Sequence, residues 1–515
     1  MVLFIIAAVI ALVALGVAIK LTVDFLRNVI PPVPFIKLLK RLGIILSVFV
    51  AGFATMMISI FLWAKIKPNG WELTAAIVGG LLVPSFGAVS LFTFLFHYYG
   101  KGEVKGITPQ IDKWLFRSLM ISFPLFIASI FLLTEGYANH LTYPIANGIN
   151  FQKGFVSPAS DYSPNITFYA LCILSGALYG YFLCDHKYYL EYGKHGILES
   201  TFFVAFPSGI LGARLFYVIG NWSKEFNYGN SFVNMNGVNI WAPLAIWTGG
   251  LTILGGAVVG IGVGVAWFLW KNKGYNIFVA VDMLIPAILI AQACGRWGNY
   301  FNCEVHGFQD SISHWYWLPA FVRNNAQYSI ELGWAEPGKL FVPLFFIESI
   351  TNMLGFFVLA HVFGKALRKY TQYGDIACGY IIWYGLTRVF MEPLRDPTFN
   401  MGNNGYWSWI WSLAFVSIGS LLIGINHLVR WILKPRDVNM KVYLIGTIAV
   451  SVVSVTLLTV GAILMGTGHF VQTLSFTQYN WGIICLFLGL SVLFSLLVTL
   501  PPFFIKKKEQ PVVNE

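Results

Sequence analysis

Charge is what this chain has least of. Only 11% of its 515 residues are Asp, Glu, Lys or Arg, while 57% are hydrophobic. A soluble protein carries roughly twice that charged share. Cysteine is also sparse. There are six, Cys172, Cys184, Cys294, Cys303, Cys378 and Cys485, none in CxxC spacing and most inside apolar segments. No disulfide framework and no metal site is expected from them, and nothing implies a cofactor. The opening stretch, MVLFIIAAVIALVALGVAIK, has no basic n-region, and its first charge is Lys20. That argues against a cleaved signal peptide. No internal repeat is visible, which counts against an inverted-repeat transporter. Short alternating segments, the mark of a membrane barrel, are missing too.

What is present in their place is a series of apolar runs of about 20 residues, the length that crosses a bilayer as a helix. Spans are expected at about 2–24, 42–64, 72–97, 118–134, 167–184, 199–219, 246–270, 278–298, 341–363, 376–392, 406–428, 442–465 and 480–505. The fold class is therefore an all-α polytopic membrane protein of about thirteen transmembrane helices. The net charge of +11 sits in alternate loops, for example Lys37, Lys40 and Arg41, then Lys365, Arg368 and Lys369, then Lys506, Lys507 and Lys508. Basic loops stay in the cytoplasm, which places the N-terminus outside and the C-terminus inside. The partner this charge implies is membrane lipid, and no nucleic acid.

Three blocks follow. Residues 1–160 are an extension of about four spans, 161–432 a seven-helix core, and 433–515 two further spans with a basic tail. The longest outer loop of the core, near 300–340, contains HWYWLP and NNAQYSIELGW. It reads as a small extracytoplasmic head with an interfacial aromatic belt.

Ionisable residues at membrane depth are costly and mark function by default. In the core they are few: Arg214, Asp282, Arg296, Glu304, Glu348, Arg388, Glu392, Arg395 and Asp396. Arg388 and Glu392 are four apart and share a helix face, which a plain ion pair would also explain. Arg395 extends that face toward the outer end of its span. Arg296 lies near the outer end of another. Arginines from separate helices thus meet at one depth, and a guanidinium stays charged and grips phosphate through two N–H groups. The simplest ligand is a lipid phosphate. In IWTGGLTILGGAVVGIGVGV the glycines from Gly260 onward read as helix packing. The pairs Gly249–Gly250 and Gly255–Gly256 read as broken helix, open to close backbone approach by a ligand.

The stretch GRWGNYFNCEVHG, with Gly295, Arg296, Gly298, Asn299, Tyr300, Asn302, Glu304 and Gly307, resembles the signature of the prolipoprotein diacylglyceryl transferase family. Tyr169, GARLFY around Arg214, IWTGGLTILGG, Pro343 to Glu348, and YGLTRVFMEPLRDP resemble further family segments in the family's order. The resemblance covers about 165–430. Two positions depart from it: Leu254 stands where the family usually has histidine, and Ile347 where it has tyrosine. Both departures touch proton transfer rather than phosphate binding.

The resemblance implies a reaction. The diacylglyceryl group of phosphatidylglycerol moves to the lipobox cysteine thiol of a preprolipoprotein, giving a thioether and glycerol phosphate. Phosphatidylglycerol and the preprolipoprotein signal peptide are then the partners. Arg296, Arg388 and Arg395, with Arg214, Gly255, Gly256 and Gly307, would bind the lipid. Asn299 and Asn302 would hold its headgroup or orient Arg296. Glu304 and Glu392 would orient arginines or accept the thiol proton, Tyr169 would line the cleft, and His306 is a candidate replacement for the absent histidine. A transporter for a phosphate-bearing lipid or anion, or a binding protein without catalysis, is the alternative. Transporters place such charges near mid-membrane, whereas these gather near one face.

Overall fold

The computed structural model describes most of residues 109–504, together with scattered positions between 82 and 97. The spans expected at 2–24 and 42–64, and most of 72–97, lie outside the described residues. By contact the chain divides into two units, 1–263 and 264–515, each described by itself.

The first unit carries α1 (Pro109–Ala138), α2 (Phe168–Tyr192), α3 (Glu199–Asn221) and the beginning of α4 (Ile253–Lys271). Between α1 and α2 lie three short strands, β1 (Asn147–Asn150), β2 (Gly154–Pro158) and β3 (Asn165–Thr167), in the order β2-β1-β3. A hairpin of β4 (Phe232–Met235) and β5 (Val238–Trp241) links α3 to α4. Leu119, Tyr181 and Phe182 form the core that joins α1 to α2. Helices α3 and α4 touch through small residues. A side chain on Gly212 would strike Val259, and one on Gly255 would strike Phe216 and the Gly212 carbonyl. Backbone contact at this range needs positions without Cβ.

The second unit holds α5 (Ile277–Asn302), α6 (Ala320–Asn325), α7 (Leu344–Phe357), α8 (Asp375–Met391), α9 (Tyr406–Leu433), α10 (Met440–Thr467) and α11 (Gln478–Phe494). Asn276 starts α5 by accepting from the Phe278 N–H, the usual way to satisfy a free first-turn donor. The helix stops at Cys303, whose left-handed backbone (φ 51°) turns its N–H back to Tyr300. The GRWGNYFN segment is therefore the last two turns of α5 rather than a loop after it.

Helix α7 widens into a π-helical stretch from Val358 to Ala366. The head between α5 and α7 contains α6, the pair β6 (Gln309–Ser311) with β9 (Lys339–Phe341), and the pair β7 (Tyr328–Ser329) with β8 (Gly333–Trp334). Its apolar centre is Tyr300, Leu318, Val322 and Phe345.

Among the described residues seven helices are long and apolar enough to cross a membrane, spanning Asp112–Ile130, Glu199–Asn221, Ile277–Asn302, Leu344–Ala366, Tyr406–Leu433, Met440–Thr467 and Gln478–Phe504. The expected spans near 167–184 and 376–392 are helical over nearly all their length, and that near 246–270 is helical from Ile253, but none is among these seven. The described chain is mostly helical, in keeping with an all-α membrane protein, and its short strands all lie in connections between helices. Short strands let a connection pair its own backbone groups where no helix can do so.

Candidate functional site

Arg296 lies in the last two turns of α5, Glu348 at the start of α7, Arg388 in the last turn of α8, and Arg395 just beyond α8. Since α5 ends, α7 begins and α8 ends at this level, all four share one end of the unit, where the head joins α5 to α7.

Glu348 is the hub. Its Oε2 pairs with Arg296 Nε. Its Oε1 accepts from Arg388 Nη1 at 3.4 Å and from Arg395 Nη2 at 3.3 Å. Arg388 also reaches Glu392 Oε1 at 3.3 Å, and the Ser408 hydroxyl of α9 donates to the same oxygen at 3.3 Å. Both glutamates are buried, and the three arginines are partly exposed. Among the described residues three guanidiniums share two carboxylates in this cluster, one cation more than the acids that hold them. Arg395 Nε is buried and has no hydrogen-bond acceptor among the described residues. A buried N–H without an acceptor is costly, about 1–3 kcal/mol, and such a donor favours any anion that can reach it.

Beside the hub lies a second carboxylate. Glu304 Oε1 accepts from Asn299 Nδ2 at 3.1 Å and from Asn302 Nδ2 at 3.0 Å, and Asn299 Oδ1 accepts from Arg296 at 3.4 Å. No guanidinium contacts Glu304 among the described residues. The turn that presents it is strained, because Cys303 and Val305 on either side both have positive φ, 51° and 58°. A β-branched residue there is rare, and strain of this kind, of order 1–3 kcal/mol, collects at functional turns. Asn325 of the head braces the turn by donating to the Tyr300 carbonyl at 2.9 Å.

Gly307 explains itself by position. It pairs with Arg395 as an isolated antiparallel bridge, and its N–H donates to the Val342 carbonyl. A Cβ would strike the Leu394 carbonyl and Val342. Only glycine lets this loop lie against the segment that carries Arg395.

His306 is fully buried and stacked on Phe341. Among the described residues neither ring nitrogen makes a well-formed hydrogen bond, and burial pushes its pKa down to about 4, only partly offset by the backbone of Cys303 and Tyr328. It is neither the solvated loop residue nor the accessible base that its place in the sequence allows.

Four predicted site residues belong to the first unit. Tyr169 opens the first full turn of α2. Buried Arg214 donates to the carbonyls of Ala242 at 2.7 Å, Pro243 at 3.1 Å and Gly250 at 3.3 Å. It thus holds the connection before α4, and Gly250 turns there with φ +65°. Gly255 and Gly256 are helical, and the close approach they allow is to α3. That corrects the expectation of broken helix at this pair, for the break falls at Gly250.

Sequence reasoning noticed Glu348 but gave it no role, and it missed Ser408. The signal for Glu348 was its class, an acid buried in an apolar run. Ser408 carries no sequence signal.

A family profile described as prolipoprotein diacylglyceryl transferase matches residues 161–425. The chain is similar to the phosphatidylglycerol–prolipoprotein diacylglyceryl transferase of Streptococcus suis (strain 05ZYH33), 34% identical over 233 residues, which are 45% of this chain and 78% of that protein. It is likewise similar to the protein of the same name from Streptococcus pyogenes serotype M1, 35% identical over 237 residues, which are 45% of this chain and 80% of that protein.

Proposed function

The chain belongs to the prolipoprotein diacylglyceryl transferase family, and from that premise we propose a reading of its site. The protein is a multi-pass membrane transferase. It moves the diacylglyceryl group of phosphatidylglycerol to a prolipoprotein cysteine, a step of lipoprotein maturation. The cysteine sulfur, as thiolate, attacks the glycerol carbon that bears the phosphate ester. A C–S bond forms, the C–O bond breaks, and its electron pair leaves with glycerol phosphate.

The observation that carries the reading is the convergence of Arg296, Arg388 and Arg395 on Glu348. The phosphodiester begins with one negative charge and departs as a monoester with about 1.5 to 2 at pH 7. A cluster with positive charge to spare therefore binds the departing group more tightly than the starting lipid, which is the condition for accelerating the step. Arg296, Arg388 and Arg395 hold the phosphate. Glu348 holds the guanidiniums in place until the lipid arrives, and Glu392 orients Arg388. Asn299 and Asn302 hold Glu304, which takes the proton of the thiol. Its freedom from arginine contact supports that role, because an acid tied to three cations is a poor base. Arg214 shapes the connection before α4.

The wider arrangement that we propose is about thirteen spans, with the blocks 1–160, 161–432 and 433–515, the N-terminus outside and the C-terminus cytoplasmic. The site then faces the outer leaflet of a bacterial cell membrane, where lipobox signal peptides emerge. The agreement of the matched range, 161–425, with the central block supports this division.

The test is incubation of membranes carrying the chain with phosphatidylglycerol and a lipobox peptide. A mass gain of one diacylglyceryl unit on the peptide thiol is expected, and no gain over membranes without the chain overturns the reading.

A further inference from the structure

Helices α10 and α11 lie beyond the family-matched residues, yet they pack into the back of the arginine cluster. Ile483 and Ile484 of α11 share one apolar core with Tyr406, Trp409 and Leu413 of α9 and with Val389 of α8. Val389 follows Arg388 directly. The contact continues along α9, where the Ser417 hydroxyl donates to the Phe487 carbonyl at 3.0 Å. Close backbone approach is built in at Gly424, where a Cβ would crowd the Phe494 carbonyl.

Two hydrogen bonds carry this packing into the site. The indole N–H of fully buried Trp409 donates to the Val389 carbonyl at 3.1 Å. That carbonyl is in the last turn of α8, where helix geometry leaves acceptors without an intrahelical partner. One turn away, Ser408 donates to Glu392, which holds Arg388. The first turn of α9 thus sets where the last turn of α8 ends, and α11 sets where that first turn sits.

We propose that the C-terminal helix pair α10–α11 is a positioning element for the arginine–glutamate cluster, acting through Trp409 and Ser408. None of these residues touches substrate. Their effect is on the register of Arg388 and Glu392, and a shift of about 1 Å in such groups costs about a hundredfold in rate. The inference rests on the transfer reading for its kinetic readout and on backbone exchange for an independent one.

The full-length chain in phosphatidylglycerol vesicles is compared with Trp409→Phe, Ile484→Ala and Ser454→Ala. Phenylalanine keeps an aromatic ring and loses the N–H. Ser454 is the control, since its hydroxyl bonds the Gly489 carbonyl within the α10–α11 pair, away from α9. Trp409→Phe and Ile484→Ala are expected to lower kcat about tenfold with KM for phosphatidylglycerol within about twofold, the signature of an interaction made in the transition state. Hydrogen exchange at residues 388–395 rises in both, while Ser454→Ala changes neither quantity. Where Ile484→Ala fails to fold, Ile484→Val and Ser408→Ala replace it. Unchanged kcat and exchange in Trp409→Phe overturn the proposal, as do losses in Ser454→Ala equal to those in Ile484→Ala. If the unsubstituted chain transfers nothing, the transfer reading fails alone. Exchange at 388–395 then still decides the coupling, supporting it if Ile484→Ala exceeds Ser454→Ala and overturning it if the two are equal.

Discussion

The two ends of the second unit are both polar, and they are polar in different ways. At the head end, Glu348 and Glu392 serve three arginines, one of which keeps an N–H with no acceptor among the described residues. At the other end, Asp282 accepts from the backbone N–H groups of Gly374 at 2.8 Å and Ala377 at 3.1 Å, which caps the start of α8. Asp375 accepts from Asn426 Nδ2 at 2.7 Å and pairs with His427 at 2.7 Å, while Arg430 donates to the Tyr373 carbonyl at 2.7 Å. Acids at that end spend their acceptors on backbone and neighbours. Glu348 and Glu392 at the head end spend theirs mainly on cations. A costly polar group inside a membrane chain is thus no sufficient sign of chemistry; what matters is whether its partners are already satisfied.

The sharpest way to break that contrast is to remove a cation at the head end. Arg388→Ala or Arg296→Ala is expected to lower diacylglyceryl transfer by about 10²–10³, measured as product per folded molecule, with the helical content retained. Activity near that of the unsubstituted chain would place the phosphate elsewhere. Next in size, Glu304→Gln keeps an acceptor for Asn299 and Asn302 but cannot take a proton. A fall of about 10² in kcat is expected, with recovery as pH rises and the thiol ionises unaided; a flat response to pH would deny Glu304 the proton.

At the other end the expectation reverses. Asp282→Ala strands two backbone donors and should cost about 1–3 kcal/mol of stability, read by thermal unfolding. Turnover of the folded fraction should stay within about twofold of its original value, below the tenfold that 1.4 kcal/mol of barrier would give. The smallest effect concerns His306. Its folded pKa lies below the unfolded value of about 6.5, so burial of the neutral ring contributes stability that is intact above pH 6.5. That stability is lost as pH falls from 6.5 toward the folded value of about 4. His306→Phe should remove that acid-side slope and leave the pH profile of transfer unchanged. An altered profile would return His306 to the chemistry.

Legibility in the sequence followed the same divide. Helix positions could be read because apolar runs need only local information, and the four-residue spacing of Arg388 and Glu392 fixes a shared face wherever the helix goes. The meeting of Arg296, Arg388 and Arg395 depends on two helices, α5 and α8, ending at one level, which a depth argument reaches. Their common partner Glu348 needs coordinates, because α7 could present it in any direction. Gly255 and Gly256 read equally as room for a ligand or room for a helix, and only the position of Gly209, Gly212 and Phe216 decides for the helix. The strands in the connections were invisible, since segments of two to five residues carry too little periodicity to register.

Under the proposed reading, the Arg395 N–H that has no acceptor among the described residues bears on turnover as well as on binding. A carboxylate offers two oxygens, and Glu348 has already committed both, so the resting site is occupied by an understudy that fills most of the part. A phosphate brings more oxygens, so it can displace the glutamate without leaving any cation deserted. The lipidated peptide has no phosphorus and nothing with which to compete for the seat. Under the proposed reading it leaves for the bilayer, while glycerol phosphate and Glu348 still contend for the same guanidiniums.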